Sequence, residues 1–163
     1  MKAIVAVDEN WGIGCNNELL FKIPEDMKLF KNVTLNKIVV MGHSTFSSLP
    51  NSKPLKDRVN VVLSKNKALE IDTVTICNSI DEFLDISKKY NTDDVIVIGG
   101  QEIYRQLLDY CSEIYVTKVK TAKTADKFFP NLDLMSNWVM KECSEEKSHN
   151  DIKFNFCTYK NMS

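Results

Sequence analysis

The 163-residue chain predicts an α/β protein built on a mostly parallel sheet covered on both faces. Two observations carry this. Short β-branched runs recur along the chain and most are continuously apolar, as strands buried on both faces are. Helix-like segments separate them, which is how parallel strands are connected.

Taken in order, Ala3–Val7 is the first strand. The longest irregular stretch follows, residues 9–23, with Gly12-Ile13-Gly14 and Asn16-Asn17, which permit tight or left-handed backbone. A loop this long is either a lid or a plain surface connection. Pro24 suits the first turn of a helix, and Lys37–Met41, Val59–Leu63 and Val74–Cys77 read as strands. Ser79-x-x-Glu82 is a capping box opening a helix towards Lys88-Lys89. Val95–Ile98 is a strand, and Ile103, Leu107 and Cys111 sit at helical spacing after Gly99-Gly100. Ile114–Val119 is the last continuous strand. Residues 138–146 and 152–160 alternate apolar and polar around Ser148-His149-Asn150-Asp151, so the sheet is expected to end in an antiparallel hairpin.

Composition narrows the function. Hydrophobic residues make up 44% and charged residues 26%, which is ordinary for a soluble globular chain. A net charge of -1 gives no electrostatic reason to expect nucleic acid or an anionic membrane, so a small ligand is the expected partner. Ala3–Val7 is too brief for a signal-peptide core and no apolar run could span a bilayer, which predicts a cytoplasmic protein. Five cysteines without a C-x-x-C pair are expected to be buried free thiols. Two scattered histidines, His43 and His149, predict no metal site. No repeat, linker or low-complexity tract divides the chain, so residues 1–163 are expected to form one domain and, by default, a monomer.

Asp26 is the residue that breaks the pattern. On a helix starting at Pro24, Ile23, Met27, Leu29 and Phe30 share one arc and Asp26 lies inside it, while Glu25, Lys28 and Lys31 point elsewhere. An acid in a first helical turn is stabilised by the dipole and free N–H groups. A desolvated carboxylate with a raised pKa would instead hold or relay a proton near neutral pH. Pattern leaves both readings open. Two strand-to-helix junctions, Met41-Gly42-His43-Ser44-Thr45 and Ile98-Gly99-Gly100-Gln101, offer small residues and helix amides of the kind that suit a dinucleotide pyrophosphate. Arg58 and Lys65 flank a strand, and an arginine at a cleft rim suits bidentate binding of a carboxylate.

The ordered set Ile4-Val5-Ala6, Gly12-Ile13-Gly14, Ile23-Pro24-Glu25-Asp26, Thr34-Leu35-Asn36-Lys37, Val40-Met41-Gly42 and Ile98-Gly99-Gly100-x-x-Ile103-Tyr104 resembles the dihydrofolate reductase family. Tyr115-x-Thr117 and Phe128-Phe129-Pro130 continue the resemblance in order. It implies an eight-stranded, mostly parallel sheet with four helices, and NADPH-dependent reduction of 7,8-dihydrofolate. Asp26 would bind the pterin and support protonation at N5, with Thr117 hydrogen-bonded to it. The resemblance puts Ile4 and Ile98 at the pterin edge, with Val5, Ala6, Leu19, Phe21, Met27 and Tyr104 also around the substrate. Phe30, Leu49 and Leu55 would meet the benzoyl ring and Arg58 the glutamate carboxylate. Antifolate inhibitors would share this site.

The implied cofactor cradle comprises Gly42, His43, Ser44 and Thr45, then Leu63, Ser64 and Lys65, then Ile98, Gly99, Gly100, Gln101, Glu102, Ile103 and Tyr104. Ala6, Ile13, Gly14 and Leu19 would lie near the nicotinamide, and residues 9–23 would be the mobile loop that closes over it. Phe21 stands where many members carry tryptophan. His43 and Glu102 replace common arginines near the 2′-phosphate, which leaves Lys65 as the cation there. A pyrimidine reductase of the same fold and a non-catalytic nucleotide-binding module are the competing readings. The pairing of Asp26 with Arg58 argues against the first, and an inward acid argues against the second.

Overall fold

The computed structural model describes residues 1–163. The chain opens with β1 (Lys2–Val7), then β2 (Gly12–Cys15) and β3 (Glu18–Leu19), helix α1 (Pro24–Thr34), β4 (Ile38–Gly42) and α2 (His43–Ser48). It continues through β5 (Val59–Leu63), β6 (Val74–Cys77), α3 (Ile80–Ser87), β7 (Val95–Gly99) and α4 (Gln101–Leu107). The last elements are β8 (Glu113–Val119), β9 (Lys127–Phe128), β10 (Trp138–Cys143), β11 (Lys147–His149) and β12 (Ile152–Asn161).

The main sheet runs β10-β12-β8-β1-β7-β4-β5-β6, with β11 paired to β12. Every pairing from β8 to β6 is parallel, and β12 is antiparallel to both β8 and β10. The continuously apolar strands are the parallel ones, as their burial on two faces requires. β7 lies between β1 and β4, so strand order reverses around it, and the carboxyl ends of these strands flank the crevice where α/β sheets bind ligands.

Alternation along β1 separates two cores. Ala3, Val5 and Val7 join a large cluster with Tyr104, Leu107, Phe129 and Tyr159. Ile4 faces the other way, into a smaller cluster with Val39, Met41, Ile96 and Ile98. No helix is long and apolar enough to cross a membrane.

Helix α1 starts at Pro24 as predicted, and Ser79 Oγ accepts from the Glu82 N–H at the start of α3. The capping box differs in one bond, because the Glu82 carboxylate reaches the Asn78 N–H rather than that of Ser79. Three expectations are corrected. Residues 9–23 are not irregular: β2 and β3 form a hairpin, with Asn16 and Asn17 both at positive φ in its two-residue turn, and β9 extends it to a small second sheet. The first tail segment, expected over residues 138–146, ends as β10 at Cys143, after a register shift at Met140/Glu142. At Ser144 the hydroxyl takes over acceptance of the Phe156 N–H, and the strand facing the start of β12 is instead β11, Lys147–His149. The tight turn falls at Asn150-Asp151, again at positive φ.

The cysteines are the third correction. Cys143 and Cys157 stand directly opposite on β10 and β12, Cα atoms 4.1 Å apart, and their sulfurs are paired. Cross-strand register, which spacing does not reveal, brings them together. Cys77 and Cys111 are buried free thiols, and Cys15 is a half-buried one. Burial pushes Cys77 up to about 11 and Cys111 to about 12, so both stay protonated at neutral pH.

Candidate active site

Asp26 enters the site from the first turn of α1, and Thr117 from β8, 91 positions later in the chain. The Thr117 hydroxyl donates to Asp26 Oδ1 at 2.6 Å. Parallel pairing of β8 with β1 places Thr117 beside Ala6, and antiparallel pairing with β12 places it beside Phe156. The hydroxyl is 1% exposed with its residue, so it has no solvent alternative to this carboxylate. Burial raises the Asp26 pKa above the usual aspartate value, and the Thr117 bond opposes that shift without overcoming it. Asp26 is half-buried, and the direction of its shift is that of desolvation rather than of first-turn dipole stabilisation.

An apolar wall stands next to it. Phe30, Leu49 and Leu55 pack on the cluster that holds Ile4 and Ile98, so five predicted substrate residues meet on one face of the sheet. Tyr104 is buried on the other face, and its hydroxyl donates to the Ile4 carbonyl at 2.7 Å, fixing that backbone at the end of the crevice. Several predicted residues lie elsewhere. Val5, Ile13 and Leu63 belong to the opposite core. Phe21 is buried with Ile23, Val119 and Phe154, under the Lys123 ammonium 4.8 Å from its ring centre. Met27 is 61% exposed and Leu19, on the hairpin, 73% exposed. The arc drawn through Met27 therefore does not all turn inward, because α1 packs on the face of the central strands with Leu29, Phe30 and Val33.

The two glycine junctions are neighbours, since Met41 and Gly99 are partners across β4 and β7. A Cβ on Gly100 would stand 3.2 Å from Thr45 Oγ1, and one on Gly42 would stand 3.2 Å from Ile103 Cγ1. Gly99 has φ +129°, a conformation side chains rarely adopt. Small residues are thus required where the two loops approach each other. Glu102 is committed to Arg105 at 2.7 Å on the exposed face of α4, while Ser64 and Lys65 follow β5 at the same end of the sheet.

Sequence reasoning missed four residues that build the site. Asp8 is buried and accepts from Asn10, Gly12 and Lys123 N–H groups, at 2.9, 2.8 and 3.0 Å, tying the β2–β3 hairpin to the loop after β8. Thr34 accepts from Arg58 Nε at 3.3 Å and donates to the Phe30 carbonyl at 2.7 Å. Asn60 bonds both backbone groups of Leu55. Asn78 donates to the Ser64 carbonyl at 2.7 Å. The available signal was strongest for Asn60, a lone amide inside the apolar run Val59–Leu63.

Comparison with known proteins agrees with this geometry. A family model described as dihydrofolate reductase matches residues 1–161. The chain is 34% identical to dihydrofolate reductase of Schistosoma mansoni and 32% identical to that of Bacillus subtilis, in each case over 98% of this chain and 95% of the relative. It is 32% identical to the bifunctional dihydrofolate reductase-thymidylate synthase of Glycine max over 97% of its own length, spanning 33% of that longer protein. The solved structure of dihydrofolate reductase from Enterococcus faecalis, complexed with NADP(H) and RAB-propyl, matches with a TM-score of 0.88 at 29% identity, covering 99% of this chain and 96% of that one.

Fold and cleft together define an α/β enzyme of the nucleotide-cofactor class, with one half-buried acid, Asp26, at the crevice. The chain belongs to the dihydrofolate reductase family.

Proposed function

We infer that this chain reduces 7,8-dihydrofolate to 5,6,7,8-tetrahydrofolate with NADPH, with Asp26 as the residue that manages the proton. The observation that carries the reading is the desolvated Asp26 carboxylate, hydrogen-bonded to Thr117 and set beside the apolar Ile4, Ile98 and Phe30 wall. NADPH supplies the hydride when bound. The glycine junctions fit it, because Gly42, Gly99 and Gly100 let backbone approach a pyrophosphate that Thr45 and the neighbouring amides would hold. Ser64 and Lys65 would take the adenosine phosphate, with His43 and Gln101 at the edges.

The chain's own residues do the rest. Asp26 accepts the pterin's amino and ring N–H groups and, with its pKa raised, stays available to support protonation at N5, directly or through water. Thr117 holds the carboxylate in place. Phe30, Leu49 and Leu55 exclude water from the ring system, and Arg58 pairs with the glutamate carboxylate. The hairpin of residues 9–23 serves as the closing loop. The same reading places the enzyme in the cytoplasm as a monomer and makes antifolates competitors at the Asp26 site. The test is to mix protein, NADPH and dihydrofolate and follow loss of the reduced cofactor's near-ultraviolet absorbance; no loss overturns the proposal.

A further inference from the structure

The loop between α2 and β5 carries Leu55 and Arg58, both given substrate contacts above. It has no regular structure of its own from Lys53 to Arg58, and Asp57 sits at positive φ. Such a segment needs an internal fastener if its side chains are to hold one geometry.

Asn60, 3% exposed on β5, supplies it. Its Oδ1 accepts from the Leu55 N–H at 3.0 Å and its Nδ2 donates to the Leu55 carbonyl at 2.9 Å, so the amide pairs with Leu55 as a neighbouring strand residue would. The second Nδ2 hydrogen goes to the Arg58 carbonyl at 3.3 Å. Both donors and one lone pair of the acceptor are thereby used inside the protein, and burial keeps the amide away from a ligand. Arg58 is held from two more sides, its Nε donating to Thr34 Oγ1 and its Nη1 to the Lys56 carbonyl, while Nη2 stays uncommitted.

We propose that Asn60 is a positioning residue for substrate: by clamping Leu55 and Arg58 into one rigid arm, it sets where the guanidinium meets the carboxylate at the distal end of the substrate. This rests on the function proposed above. A merely structural asparagine would, when replaced, weaken every substrate alike. A positioning one acts most on substrates long enough to reach Arg58, and only through Leu55 on those that end at the benzoyl ring.

The experiment compares KM for dihydrofolate with KM for 7,8-dihydropteroate, which keeps the pterin and benzoyl ring but lacks glutamate. In Asn60→Ala, KM for dihydrofolate is expected to rise by about tenfold and that for dihydropteroate by no more than about threefold, the share that runs through Leu55. In an Arg58→Leu background the same change is expected to add only the small Leu55 share, well short of the product of the two single effects, since both act mainly through the guanidinium. Asn60→Ser keeps a polar group without burying a charge but is too short to reach Leu55 and Arg58, and it carries the test if Asn60→Ala does not fold. Equal rises for the two substrates, no rise for dihydrofolate, or full additivity with Arg58→Leu each overturn the inference. A wild-type protein that fails to oxidise NADPH with dihydrofolate instead overturns the proposed function.

Discussion

Asp26 shows what one half-buried, partly desolvated charge costs and provides. Its carboxyl titrates above the ordinary aspartate range because burial disfavours the charged form. The native state therefore holds its proton to higher pH than the unfolded chain does. Stability is unaffected well below the unfolded value near 3.8, and falls as pH rises from there through the raised native value. Asp26→Asn removes that penalty while keeping an oxygen for the Thr117 hydroxyl. It is expected to melt higher than wild type at pH 7 and to lose that advantage as pH falls towards 3.8, read by thermal unfolding across pH. Turnover is expected to fall roughly 10²-fold or more in the same variant, with the high-pH limb of its profile flattened. A near-normal rate removes Asp26 from its role. Arg58→Leu belongs to the same scale. Loss of a charge-assisted carboxylate contact is expected to raise KM for dihydrofolate at least about tenfold, and an unchanged KM refutes the contact.

The elements differ in how legible they were, for physical reasons. β5 and β6 were readable to the residue, because short runs rich in β-branched residues are bounded on each side by polar and turn-forming residues. α1 was readable at its start from Pro24, yet Met27 faces outward because periodicity gives an arc and not the width of the neighbour that covers it. The β2–β3 hairpin was missed as sheet since its partner strand, β9, is two residues more than a hundred positions away. Its turn was nonetheless written in Asn16-Asn17. The site followed the same rule: Asp26 stood out as a local violation, whereas Asp8 and Thr34 act through partners that only the fold supplies. Asp8 yields a prediction at this scale. Asp8→Ala strands three backbone donors at the hairpin root, and is expected to lower stability by about 1–3 kcal/mol. Amide exchange should accelerate across residues 8–14 and 121–126, and uniform exchange changes over the whole sheet would deny Asp8 this local task.

Across the whole molecule, the crevice is assembled from strands that are remote in sequence, so cofactor binding and global stability are linked. β4 brings Gly42, β7 brings Gly99, and both pair along their length through the centre of the sheet. A ligand gripping those junctions grips the native state alone. At a free concentration one hundred times its Kd, NADPH is expected to add about 2.7 kcal/mol to stability, which for a domain of this size moves the midpoint by roughly 5–11 °C. One cooperative transition should shift as a unit, because the large core and the smaller one share β1, with Val5 in the first and Ile4 in the second. Two separable transitions, only one of them responsive to NADPH, would mean that the chain is not one folding unit. NADH at equal concentration is expected to shift the midpoint less, since it lacks the phosphate that Lys65 would meet. An equal shift would take Lys65 out of the cofactor site and leave the grip to the glycine junctions.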